Sequence, residues 1–384
     1  MAFAILIVIY LAFISLGLPD SVLGIIWPEM RKEILQPVEA LSGVTLVIVA
    51  FTSLSAFISG RIIRKIGTGP LTFFCGAMTG LGLIAISYIH SYPALILVAV
   101  PLGAGAGAVD AALNNYVSEH YQPRYMNWLH SFWGLGAIAA PLLVTALITS
   151  GSSWRFAART IAAVQLGISL ILFFALPAWR KQERVAAVAA AHTPRDSILH
   201  SLRVKGVWAS MLLFFLYCGV EYSMINWAAS YMLEHKRIGL TYAGAAQSLL
   251  FAGLTAGRIL AGFVVGRTGN RKLVYAGMSV ALIGAALLAV AKKPIFCVSC
   301  AALIGLGYAP IYPCMMHESA ARFPGSANKD ITGYQVAAAG LGVAVIPVSL
   351  GYASKWLTLS IMPAGVIALL AVSLLIFRRL NQIT

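Results

Sequence analysis

The sequence predicts an all-α polytopic membrane protein of twelve transmembrane helices, built as two parallel six-helix repeats. Three observations predict it: a composition too apolar for a water-facing surface, apolar stretches of membrane-spanning length along the whole chain, and glycine motifs that recur in matching order in the two halves. Of 384 residues, 60% are hydrophobic and only 10% charged. Soluble domains carry roughly a quarter charged residues. Inside hydrocarbon every backbone N–H and C=O needs a partner within the structure, so spanning segments are helices or closed barrels. Barrel strands alternate apolar and polar residues. The run Leu46-Val47-Ile48-Val49-Ala50-Phe51 does not, and helices are the reading.

A membrane helix needs roughly 20 mostly apolar residues. The first such stretch, 2–27, holds Pro19 and Asp20 and lacks a basic start or small-residue cleavage site, so it reads as a helix, not a removable signal. The second, 40–63, and third, 70–90, flank a basic loop. The fourth, 93–117, carries a glycine-rich run and Asp110; the fifth, 127–150, carries Gly134 to Pro141. The sixth, 156–178, precedes the longest hydrophilic segment, Trp179 to Lys205. The seventh, 206–233, contains Glu221, and the eighth, 242–266, contains Arg258. Lys292 and Lys293 part the ninth, 273–291, from the tenth, 294–316, whose Pro310 and Pro313 predict a break. The eleventh and twelfth are 328–354 and 356–377. The domains expected are an N-terminal bundle, 1–178, a cytoplasmic linker, 179–205, and a C-terminal bundle, 206–384.

An even number of spans puts both termini on one side. Loops there carry roughly twice the Lys and Arg of the other side, which predicts cytoplasmic termini in a multi-pass plasma (inner) membrane protein. The net charge of +15 thereby belongs to loops and lipid, not to nucleic acid. The five cysteines lie in apolar spans. Cys297 and Cys300 form a lone CxxC, and metal sites of that type need a second ligand pair. No metal or other cofactor is expected.

Repeats explain the order of motifs. Gly134 to Pro141 in the fifth span matches Gly340 to Pro347 in the eleventh. Gly60, Lys65 and Gly67 match Gly262, Arg267 and Gly269; Gly103 and Gly105 match Gly305 and Gly307; Asp20 pairs with Glu221. The spacing is nearly constant, and each match joins span n to span n+6. Parallel six-helix repeats are a carrier design with a midplane site, and glycine-rich faces permit the close helix contacts it needs.

On these residues the chain resembles the major facilitator superfamily over its whole length. Gly262 to Lys272 resembles that superfamily's short-loop signature, and Gly60 to Gly69 is a poorer copy. The resemblance implies a cytoplasmic gate that includes Arg61, Lys65, Arg267 and Arg271, with Glu119 and Glu318 at the ends of the fourth and tenth spans. The signature's usual aspartate is replaced by Arg64 and Gly266. The basic residues also suit lipid phosphates, and the acids also suit solvated helix ends.

Of twelve acidic residues, three fall well inside spans: Asp20, Asp110 and Glu221. A charge at the bilayer centre costs roughly 2.5–3.5 kcal/mol on insertion scales, which makes such residues functional candidates. Loss of water favours the neutral form of a carboxylic acid, the property a proton carrier needs. Asn114 lies four residues beyond Asp110, on the same helix face. These segments resemble the fucose–galactose–glucose:proton symporter family. The resemblance implies Asp20 and Asp110 as coupling or sugar-binding acids, with Asn114 beside them, and Glu221 with Trp227 in the seventh span. Further polar or aromatic candidates for a sugar are Asn226, Gln247, Tyr312, Gln335 and Trp133, while Trp27 suits an interfacial anchor. His130 titrates near neutrality and suits a satisfied interhelical bond.

The function expected is proton-coupled symport of a neutral hexose-like sugar by alternating access. The alternative is a proton-coupled exporter of drug-like compounds. No HExxH or nucleophile–base set argues for an enzyme. The partners expected are a small-molecule substrate, protons and lipid, for a chain acting as a monomer.

Overall fold

A computed structural model describes residues 2–37, 40–189, 198–323, 325, 327–357 and 360–384. Among them the secondary structure is helical, without strands. The elements are α1 (Ala2–Glu33), α2 (Ala40–Ile66), α3 (Thr68–Ile86), α4 (Tyr92–His120), α5 (Pro123–Thr149), α6 (Trp154–Ala189), α7 (Ile198–Arg203) and α8 (Val207–Ser230). They continue with α9 (Leu240–Thr268), α10 (Asn270–Val290), α11 (Pro294–Tyr308), α12 (Ile311–Arg322), α13 (Ala327–Leu357) and α14 (Ile361–Ile383). Twelve stretches are long and apolar enough to cross a membrane, with α11 and α12 forming one of them. The α11–α12 interruption falls at Ala309 and Pro310, where the prolines predict it.

Two boundaries differ from expectation. α1 runs on to Glu33, beyond the apolar stretch, and its last turn carries Arg31 and Lys32, cations suited to the negative end of a helix dipole. α6 continues to Ala189, so the hydrophilic linker begins as helix. Its Arg, Lys, Gln, Glu and Ala residues are strong helix formers. Residues 190–197 of that linker lie outside the described residues.

The chain forms two compact units. The first comprises Met1–Tyr116, Leu129–Asp196 and Gly325–Ala337; the second comprises Val117–Trp128, Ser197–Pro324 and Ala338–Thr384. In the first unit α6 packs on α3 and α1. Its core joins Val22, Ile26 and Met30 of α1 to Leu83 and Ile86 of α3 and Ala158 of α6. Trp27, a candidate interfacial anchor by sequence, is instead core, 3% exposed. At one end Arg155 ties the loops together, donating to Glu33 Oε2 at 2.6 Å and to the Ser87 and Ile89 carbonyls. In the second unit α11 packs on α9 and α10, and α14 on α8.

The repeat is visible in backbone contacts. A Cβ on Gly103 of α4 would collide with the Ile48 carbonyl of α2, and one on Gly305 of α11 with the Leu250 carbonyl of α9. Likewise Gly136 of α5 abuts the Ile14 carbonyl of α1, as Gly342 of α13 abuts the Phe215 carbonyl of α8. Each glycine and its partner are displaced together between the halves, so the motifs mark one helix–helix contact made twice. The joints α2–α3 and α9–α10 turn on Gly67 (φ 86°) and Gly269 (φ 80°), conformations that favour glycine.

Candidate functional site

In the first unit α1, α4 and α5 bring together Asp20, Asp110, Asn114, His130 and Trp133. Gly103 and Gly107 let the backbone of α4 lie directly on α2, and Gly17 and Gly136 do the same for α1 and α5. These contacts seat the polar faces at short range. Trp133 Nε1 donates to Asp20 Oδ2 at 3.0 Å. Asn114 Nδ2 donates to Asp110 Oδ1 at 2.7 Å and to the Asp110 carbonyl at 2.9 Å. The Asn114 Oδ1 faces His130 Nε2 at 3.1 Å. Phe13 stands edge-on to the His130 ring, centroids 5.4 Å apart.

Asn114 and His130 are buried, Asp110 is half-buried, and Asp20 is exposed. Among the described residues no Lys or Arg forms an ion pair with either carboxylate. A small cavity behind them, lined in part by Ser15, Pro19, Thr79 and Gln165, is roofed by α4 at Gly105 and Val109. Gln165 Nε2 bridges Thr79 Oγ1 at 2.8 Å and Ser15 Oγ at 3.2 Å.

Glu221 stands differently. In the second unit its Oε1 faces Arg258 NH2 at 3.5 Å, with both side chains below 10% exposed (7% and 8%). Tyr217 and Tyr308 complete that cluster, and the Tyr217 hydroxyl donates to the Tyr308 carbonyl at 2.8 Å. Sequence reasoning left Arg258 as the lone base inside a span; the fold supplies its partner.

The other candidates divide between the units. Gln335 is buried in the first. In the second, Trp227 Nε1 donates to the Pro347 carbonyl at 3.0 Å, and Gln247 Nε2 donates to the Ile225 carbonyl at 2.7 Å, beside exposed Asn226. Tyr312 meets Phe214 edge-to-face at 5.4 Å.

Among the gate candidates, Arg271 Nε donates to Glu318 Oε1 at 2.5 Å, and Arg322 approaches the same oxygen at 3.9 Å. Asn270 Nδ2 reaches Glu318 Oε2 and His317 Nδ1, each at 3.2 Å. His317 Nε2 donates to the Tyr121 carbonyl at 2.8 Å, which fixes Nδ1 as the acceptor. Glu318 is therefore the centre of a network rather than a solvated helix end. Arg61, Lys65, Glu119 and Arg267 are exposed. Arg64, at the position of the signature's aspartate, pairs with Asp330 at 2.9 Å, and Asp330 is 2% exposed. Sequence reasoning missed Asp330. Its signal was an acid in the first turn of a helix that is otherwise without one.

Twelve candidate spans among the described residues, two of them carrying acids, Asp20 and Asp110, without an ion-pair partner there, point to a class: a multi-pass membrane transporter. A model of the Major Facilitator Superfamily matches residues 9–347 and 223–382, and the chain belongs to that superfamily. It is 23% identical over 378 residues to the glucose/mannose transporter GlcP of Bacillus subtilis, covering 95% of this chain and 91% of that one. Among solved structures, the transporter FucP in the outward conformation matches with a TM-score of 0.77 at 15% identity, over 98% of each chain. The proton:xylose symporter XylE, bound to 6-bromo-6-deoxy-D-glucose, matches with a TM-score of 0.78 at 13% identity, over 97% of this chain and 94% of that one. At such identities these two structures establish the fold.

Proposed function

We propose that the chain is a proton-coupled symporter of a neutral, hexose-like sugar, working by alternating access in the plasma membrane with both termini cytoplasmic. The observation that carries the reading is the pair of carboxylates, Asp20 and Asp110, set inside candidate membrane spans, bonded to the neutral donors Trp133 and Asn114 and without an ion-pair partner among the described residues. A carboxylate in a membrane span, bonded to neutral donors and without a cation to pair with, is a candidate to take up and release a proton. The relatives, a glucose/mannose transporter and a proton:xylose symporter, support sugar as the solute class.

In this reading Asp110 takes a proton from the outer side, with Asp20 assisting. Trp133 and Gln335 supply an aromatic face and hydrogen bonds to the sugar, and Asn114 holds Asp110 beside it. Neutralising the carboxylate lowers the cost of closing the site around a solute. Water entering from the other side solvates the carboxylate again, and the proton leaves with the sugar. Glu221, read from the sequence as a third coupling acid, serves instead to hold Arg258. Arg64–Asp330 and the Glu318 network serve the gate.

The test is uptake of labelled glucose, mannose, galactose, fucose and xylose into proteoliposomes. An imposed inward proton gradient is compared with an imposed sodium gradient. Accumulation of one or more sugars under the proton gradient alone, falling as external pH rises, is expected. Absence of any accumulation, with hydrophobic cations discharging the gradient instead, refutes the reading in favour of an exporter.

A further inference from the structure

We propose that His130 is a positioning residue for the coupling acid: it holds the Asn114 amide in one orientation, so that Asp110 Oδ1 stays a hydrogen-bond acceptor and Oδ2 alone carries the proton. The inference rests on the proposed role of Asp110 and adds a residue to it.

The orientation follows from the bonds. Asn114 Nδ2 has two acceptors, the Asp110 carbonyl at 2.9 Å and Asp110 Oδ1 at 2.7 Å. The amide oxygen is left to face His130 Nε2 at 3.1 Å. An amide oxygen only accepts, so Nε2 must carry a hydrogen. The reverse amide would set oxygen against oxygen at the Asp110 carbonyl, and at Oδ1 whenever that acid is charged. The bond from Asn114 to Oδ1 is compatible with a charged Asp110 and with one protonated at Oδ2. It therefore persists through a proton cycle, and loading and release involve a single oxygen.

Burial keeps this arrangement from being a surface accident. Asn114 is 0% and His130 7% exposed, and a buried polar group without its partner is costly. The titratable groups at the cluster include Asp20 on α1 and Asp110 on α4, and Cys75 on α3 lines the cavity against α4. Phe13 closes one flank of the His130 ring and Tyr10 stacks on the neighbouring Phe132. Among the described residues no Lys or Arg forms an ion pair with Asp20 or Asp110.

Without His130 the Asn114 oxygen loses its donor. The amide is then held by its two bonds to Asp110 alone, and once turned it accepts a hydrogen bond from protonated Asp110. One hydrogen bond exchanged between two protonation states moves a titration by about one pH unit.

Two measurements on reconstituted full-length protein test the proposal without requiring a sugar. Nitrogen NMR of labelled histidine, with the His130 signal identified by its loss in His130→Gln, should show Nε2–H; a neutral Nδ1–H tautomer overturns the proposal. Infrared difference spectroscopy then follows the protonated carboxyl band that disappears in Asp110→Asn. His130→Leu should move its midpoint about one pH unit upward. His130→Gln, which retains an N–H donor, should stay within a few tenths. An unmoved midpoint in a folded His130→Leu protein overturns the proposal. If His130→Leu does not fold, the wild-type tautomer decides. Failure of the transport reading is separate: it shows as no sugar accumulation in the proteoliposome panel, whatever the histidine does.

Discussion

The buried pair Glu221–Arg258 offers the most quantitative test of the second unit. Both side chains are almost wholly out of water, and they meet at 3.5 Å in a single contact. Arg258 Nε has no hydrogen-bond partner. Removing one member of a buried pair typically costs about 3–5 kcal/mol, because the other is left charged and unsolvated, whereas replacing both by apolar groups is near neutral. The long contact and the unfilled Nε place this pair at the lower end, at about 3 kcal/mol for Glu221→Gln or Arg258→Met alone. That is more than a hundredfold in the folding equilibrium at 1.4 kcal/mol per decade. The double variant Glu221→Met/Arg258→Met is expected within about 1 kcal/mol of the parent. Unfolding in mild detergent titrated with a denaturing one, followed by far-UV circular dichroism, measures the cycle. Additive losses, or single variants as stable as the parent, would refute the argument. The double variant should also retain proton-driven sugar uptake, since Glu221 is assigned to Arg258 and not to the transported proton.

Other expectations are simpler. Asp110→Asn should abolish uphill accumulation and keep sugar exchange down no gradient, as radiolabel counterflow reads; retained uphill transport removes Asp110 from the coupling role. Arg64→Gln leaves the Asp330 carboxylate, 2% exposed, without its guanidinium, and should lower detergent stability by about 2–3 kcal/mol, with Arg64→Lys recovering part of it. Gly103→Val and Gly305→Val should be destabilising to similar extents, about 1–3 kcal/mol each, because each methyl-bearing carbon would strike the matching carbonyl. A large difference between the two would count against one contact made twice.

Much of the architecture could be read in the sequence because membrane spans are long and uniform in solvent, so composition alone locates them. The tenth-span break was legible from Pro310 and Pro313, and the repeat from Gly103 and Gly305. The intramembrane acids stood out because a charge there is costly. What stayed hidden was pairing. Arg258 was visible as a lone base, yet nothing in its own helix pointed to Glu221, which lies on another. His130 read as an ordinary interhelical histidine, and only the packing of α5 on α4 sets it against Asn114. Asp330 lies in a short polar segment whose partner, Arg64, is far away in sequence. The extension of α6 was hidden by a hydrophilic composition that suits a loop and a solvated helix equally.

The repeat also shows why the two halves treat their acids differently. Asp20 and Glu221 hold equivalent places in α1 and α8, and the contacts of Gly103 and Gly305 fix the register of α2 against α9. In that register the place of Arg258 is taken in α2 by Ala56, a fully buried residue whose carbonyl lies against Gly333. Among the described residues the first unit thus offers Asp20 no ion-pair partner at that place. Asp20 turns to the Trp133 indole, a neutral donor that leaves the carboxylate able to lose its charge. Asp110 in α4 corresponds to Tyr312 in α12, so the second acid of the coupling pair has no counterpart either. On the proposed reading, proton chemistry falls to the acids of the first unit, while the equivalent acid of the second is held in an ion pair. Introducing Asp at Tyr312 while replacing Arg258 by Ala would set two unpaired acids in the second unit. By this argument such a variant should gain a second carboxyl titration in the infrared spectrum. If no second titrating band formed in the folded variant, the surroundings of α8 and α12, rather than the missing cation, would decide which acid titrates.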